Sequence, residues 1–196
     1  MKLLPNTKAV TLLELLIALT ISSMIILSIL GLDKFSRFHV ITTDRRMTTQ
    51  NEISYVVEHM VREINNAIGS ASEPPVNVTS IAGHPAITVW VDYNKNGKRD
   101  AAPADRQIAY AYVGTPSYEM LYYADYTASS SANLTISRNV YMPAGFAPVV
   151  TDNYLGVNIT GCWDPRKTKT TQDCGKNENP TVTLRTFIKM PSVSTH

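Results

Sequence analysis

From Val10 to Leu32 the chain has no Lys, Arg or Asp, and its single charged residue is Glu14. As a helix, about 20 apolar residues cover the roughly 30 Å hydrocarbon core of a bilayer. Lys2 and Lys8 precede the run, which predicts a cytoplasmic N-terminus and an exported remainder. A secretory signal does not fit: its apolar region spans about 7–15 residues and ends at a small-x-small site. This run is longer, and no such site follows it cleanly. A plain single-pass anchor fits the length but not Glu14, because a carboxylate at membrane depth costs roughly 2.5–3.5 kcal/mol.

The residues around Glu14 supply a reason for it. A short basic leader ends in the small residue Ala9, followed by Val10-Thr11-Leu12-Leu13-Glu14-Leu15 and then the apolar helix. This arrangement resembles the N-terminus of type IV pilins and of type II secretion pseudopilins. The resemblance implies that prepilin peptidase cuts between Ala9 and Val10 on the cytoplasmic side. It also implies N-methylation of Val10 and an assembly role for Glu14. In that family the residue before the cut is usually Gly and the first mature residue Phe or Met. Ala9 and Val10 depart from both, which implies slower processing. After cleavage Val10 would carry an α-amine of ordinary pKa about 7.7–8.0, cationic at neutral pH. The resemblance pairs that amine with Glu14 of a neighbouring subunit. In a low-dielectric core the attraction is strong, and the pair fixes register. The alternative is a Glu14 that snorkels to the membrane interface.

Beyond the anchor the helical pattern continues. Ile53, Val57, Met60, Val61, Ile64 and Ile68 form an amphipathic stripe, with Glu52, Glu58, Arg62 and Glu63 on the other face. The pattern predicts one helix from Val10 to Ile68 with Gly69 as its C-cap. Gly31 and Thr42-Thr43 either soften the helix or are tolerated in a straight one. Asp44, Arg45 and Arg46 read as a solvated face at the membrane exit. After "SASEPPVN" the texture changes to β. Strands are predicted at 86–91, 107–113, 118–123, 134–141, 154–159 and 181–189, with a turn at "TASSS" (127–131). "PTVTLRTFIKM" reads as a half-buried strand closing an antiparallel sheet. The expected fold is α+β, a long helix packed on an antiparallel sheet, which is also what the resemblance implies. The segments are 1–9 (leader), 10–32 (transmembrane and filament-core helix), 33–69 (its amphipathic continuation) and 70–196 (exported β-rich domain).

Two stretches of the exported part carry chemistry. In "VDYNKNGKRDAAPADRQ", Asp92, Asn94, Asn96, Gly97, Lys98 and Asp100 occupy positions 1, 3, 5, 6, 7 and 9 of an EF-hand-type loop. Such spacing wraps oxygens around a hard cation, and position 7 contributes only a main-chain carbonyl, so Lys98 is no obstacle. Position 12 is Pro103 where a bidentate Glu belongs, and Asp105 is the candidate substitute. Two readings stand here: a calcium site, or an Asn96-Gly97 hairpin turn with solvated acids. No cofactor is otherwise required. Cys162 and Cys174 both lie in the exported part, where disulfides form. Joined, they close a loop whose chain-entropy contribution is on the order of 3 kcal/mol. That loop carries Arg166, Lys167 and Lys169.

No enzymatic constellation is visible: His39, His59, His84 and His196 are scattered and read as surface residues. Loss of residues 1–9 would leave 16 basic against 16 acidic side chains, so no nucleic-acid partner is expected. The expected partners are other pilin or pseudopilin subunits, prepilin peptidase, an inner-membrane assembly platform and membrane lipid. The expected location is the bacterial inner membrane, then a pilus at the cell surface or a periplasmic pseudopilus. The expected function is structural, that of a minor pilin. The alternatives are a minor pseudopilin of type II secretion and a membrane-anchored adhesin or DNA-uptake protein.

Overall fold

The computed structural model describes residues 10–70, 73–126, 134–142, 146–151, 153–166 and 173–190. Ala9 and the rest of the leader, the 127–131 turn, Lys167, Lys169 and His196 lie outside the described residues. The chain divides into two compact units, residues 1–43 and 44–196. Helix α1 (Leu12–Ile64) runs through the first and into the second.

In the first unit α1 has no core to face. Leu12 is 85% exposed and Leu27 68%, and the most apolar 18-residue window has a mean hydropathy of 2.5. By length and composition this helix can cross a membrane. It continues unbroken through Gly31 and Thr42-Thr43, where the Thr42 hydroxyl donates back to the Phe38 carbonyl at 3.0 Å.

In the second unit the remaining turns of α1 pack on two antiparallel sheets, an α+β arrangement. The first sheet is a meander of β1 (Val76–Ile81), β2 (His84–Asp92), β3 (Asp105–Val113), β4 (Glu119–Tyr123) and β5 (Leu134–Ser137). The second joins β6 (Val149–Thr151), β7 (Tyr154–Cys162) and β8 (Thr181–Lys189). Alternation along the strands sorts the side chains. Ile87, Val89, Ile108, Tyr110, Met120 and Tyr122 join Ile53, Val56, Met60 and Ile64 of α1 in one core. Leu155, Val157 and Ile159 of β7 complete it. The opposite face of the five-stranded sheet has a smaller cluster built on Ala86, Ala109, Ala111 and Tyr123.

Several expectations need correction. The helix ends at Ile64 rather than Ile68, because the sheet claims the next residues. Ala67 bridges to Val91, the Ile68 N–H donates to the Trp90 carbonyl at 2.8 Å, and the Asp92 N–H donates to Asn66 at 2.9 Å. Gly69 is therefore no helix cap. A Cβ there would lie 2.5 Å from the Pro75 nitrogen, so the position needs glycine for close backbone approach. The buried helix face runs through Val56, while Val57 and Val61 are only half-buried. Of the expected solvated face, Asp44 and Arg46 are exposed, while Arg45 is half-buried and its guanidinium donates to the Glu178 main-chain carbonyl. The sequence pattern missed β1 and β6, and β8 does not close a single sheet but forms an edge beside β7.

Cys162 and Cys174 are joined, with Cα atoms 5.8 Å apart. Next to the bridge, buried Asn179 receives the Asp164 N–H and donates to the Asp164 carbonyl, both at 2.8 Å. Replacing both cysteines by alanine is expected to cost about 2–4 kcal/mol. Denaturant unfolding of the full chain in detergent, oxidised against reduced, would measure this, and unchanged midpoints would refute it.

Candidate functional site

The start of α1 is a reciprocal cap. Thr11 precedes the first helical residue, and its hydroxyl accepts the Glu14 N–H at 3.2 Å. The Glu14 carboxylate reaches back to accept the Thr11 N–H and the Thr11 hydroxyl, each at 3.0 Å. This is the S/T-x-x-E capping box, which satisfies donors that the first helical turn would otherwise leave open. Glu14 is thus held within its own chain, an arrangement that neither the ion-pair reading nor the snorkelling reading contained. The signal was present in the sequence as Thr11 three residues before Glu14. The large apolar residues from Val10 to Leu32 that accompany it are exposed.

The loop at residues 93–104 joins β2 to β3, and the register sets Asp92 directly opposite Asp105. β2 and β3 form an Asn-Gly-containing hairpin, joined by a long loop in which Lys95 and Gly97 both have positive φ. Asp92 Oδ2 accepts the Gly97 N–H at 2.9 Å, and Asp105 Oδ2 accepts the Asp100 N–H at 2.6 Å. Asn94 Oδ1 accepts the Asn96 N–H at 2.9 Å, and Asn96 Oδ1 accepts the Lys98 N–H at 2.7 Å. The Asp100 carboxylate receives both asparagine side-chain amides, at 3.0 and 2.5 Å. These two hydrogen bonds hold its pKa below the usual carboxylate value. Among the described residues, no three His, Cys, Asp or Glu side chains converge as a metal cluster.

Residues 4–30 match the prokaryotic N-terminal methylation motif. The chain carries the prepilin-type motif of type IV pilins and pseudopilins. No curated protein and no solved structure matches it. The prepilin-type motif implies processing by prepilin peptidase and assembly with other pilin subunits. Together with the apolar helix it fits a membrane-anchored pilin. The motif ends within the first unit, and its family is structural rather than enzymatic.

In the second unit of this prepilin-type chain, polar side chains tie the helix to the sheets. Asn139 donates to the Glu52 carboxylate at 2.7 Å. Arg166 of the disulfide loop is exposed. His59, expected at the surface, is half-buried on the inner face of α1. Its Nδ1 shares a 2.8 Å hydrogen bond with the Tyr110 hydroxyl, and its ring lies edge-on to Tyr122. Burial, the largest influence, lowers its pKa from 6.5, with Glu63 opposing and Arg62 reinforcing. The native imidazole therefore binds a proton less readily than the unfolded one. Stability should be full above about pH 6.5 and fall as the pH drops through the lowered native value. His59→Gln should flatten that part of a stability–pH profile, and an unchanged slope would assign it to other groups.

Proposed function

We propose that the chain is a minor pilin, a structural subunit that joins a type IV pilus through its N-terminal helix. In this reading prepilin peptidase cuts between Ala9 and Val10, Val10 is N-methylated, and Glu14 sets register against a neighbour. The observation that carries the proposal is the exposed apolar surface of α1 up to Leu32, which overlaps the prepilin-type motif and has Glu14 as its one charged residue. Such a surface has to be covered by lipid before assembly and by other helices after it. The separate β-rich unit, with its Asp/Asn-Gly loop, favours a minor subunit over an abundant one. Intact-mass analysis of the protein recovered from purified pili is the direct test. A chain beginning at methylated Val10 supports the reading. A chain that keeps its leader refutes processing and with it the reading, and a processed chain that is absent from pili while its deletion blocks protein secretion points to the type II pseudopilin instead.

A further inference from the structure

We propose that the loop between β2 and β3 is a calcium site in which Asp92 and Asp105 supply the anionic oxygens. β2 and β3 form an antiparallel ladder. Asp92 and Asp105 face each other at its end, which puts their Cβ atoms about 4.5–5.5 Å apart, and like charges so placed destabilise a sheet. Each carboxylate has one oxygen engaged by a loop N–H. The other oxygen of each, Oδ1, is buried without a hydrogen-bond partner, and among the described residues these are the two side-chain atoms in that condition. Asp105 is 0% exposed. A buried carboxylate oxygen left open is costly, and two of them opposed across one ladder position cost more. A cation between them removes both penalties.

The loop supplies the rest of a coordination shell. Asn94 and Asn96 follow Asp92 at alternate positions, and Lys98 offers a main-chain carbonyl at the seventh. Gly97, at φ 72°, makes the sharp turn. Each asparagine carbonyl oxygen accepts one loop N–H and keeps a second lone pair. Asp100 holds the amide nitrogens of both asparagines and so orients them. The donors are all oxygen, which excludes a zinc-type site built on Cys and His. Calcium accepts six to eight oxygens in flexible geometry, whereas magnesium demands a near-ideal octahedron. Two direct carboxylates with neutral oxygens place the affinity in the weak class of extracellular modules, about 10⁻⁴–10⁻³ M.

The loop is also tied to the segment that leaves the helix. The Asp92 N–H bonds Asn66. Arg99 lies 4.1 Å over the Trp90 ring and pairs with Glu73 of the connector. Calcium at Asp92 and Asp105 would therefore brace the junction between the end of α1 and the first sheet.

Thermal unfolding of the full chain in detergent tests this. Calcium tenfold above its Kd should raise Tm by about 3–6 °C over the chelated protein, with magnesium at the same concentration giving far less. Radioactive calcium in equilibrium dialysis should bind once per chain. Asp105→Asn should unfold at or above the wild-type temperature in chelator, because the repulsion is gone, and should lose the calcium response. Asp92→Asn should behave likewise and serves if the first variant does not fold. Lys98→Ala should keep the response, since only its carbonyl is used. The proposal is overturned by an absence of binding at millimolar calcium, by equal effects of magnesium, or by a response that survives in both Asp variants.

Discussion

Glu14→Gln is expected to reach the membrane at wild-type levels and to enter filaments more than about a hundredfold less. In the proposed reading one side chain would hold two jobs. Within the chain, the Glu14 carboxylate closes the capping box with Thr11, and glutamine closes the same box. Helix start and insertion should therefore survive the substitution. Between chains, only a carboxylate can neutralise a buried amine of a neighbouring subunit. Breaking a buried pair by removing one charge costs about 3–5 kcal/mol, and each 1.4 kcal/mol is about a tenfold change in equilibrium. Thr11→Ala isolates the other job: it loses the cap at a cost of about 0.5–2 kcal/mol and keeps the charge, so its incorporation should stay near wild type. The ratio of subunit in sheared filaments to subunit in membranes reads all of these variants. Wild-type incorporation of Glu14→Gln alongside failure of Thr11→Ala would make Glu14 a capping residue and nothing more.

The fold and the two candidate sites were legible in the sequence only in part. The motif and the apolar run were plain because each depends on local order: leader, small residue, spacing to Glu14, and length. The α+β class was legible for the same reason, through a change of period from helical to alternating. What failed depends on partners distant in sequence. Asn65 to Ile68 look helical in isolation, but Trp90 and Val91 recruit them to the sheet. β1 is an edge strand whose four middle residues are exposed, so it shows no alternation to detect. All three residues of β6 are exposed. The division into two sheets follows from the pairing of β7 with β8 and β6, which no local pattern encodes. The loop at 92–105 is intermediate. Its composition announced a turn or a cation site, but only the register revealed that Asp92 and Asp105 face each other. His59 looked like a surface histidine until Tyr110 and Tyr122, from strands far along the chain, enclosed it.

Gly161→Ala is expected to destabilise the second unit by about 3 kcal/mol, the upper part of the usual range for overpacking. For a chain of this size that is about 6–12 °C in Tm. A glycine inside a strand often marks close approach of another element, and here that element is α1. A Cβ at Gly161 would lie 2.5 Å from Ile53 Cγ1, 2.7 Å from Ile53 Cδ1 and 2.9 Å from Thr49 Cγ2. Both residues belong to the buried face of the helix. Ile53 cannot turn aside, because a β-branched side chain in a helix has one strongly preferred rotamer. The helix or β7 must shift instead, and β7 is anchored by its neighbours β6 and β8. Ile53→Ala alone should also be costly, about 2–5 kcal/mol, through the cavity it leaves. Combined with Gly161→Ala, the new methyl occupies part of that cavity, so the double variant should be more stable than the sum of the two losses predicts. Gly31→Ala is the contrasting case: a Cβ there meets nothing within 4 Å, and its effect should be neutral or stabilising. Denaturant unfolding of the four full-length variants in detergent supplies the cycle. Strict additivity of Gly161→Ala and Ile53→Ala would mean that the helix does not rest on the strand at this point, and the packing of α1 against β7 would have to be redrawn.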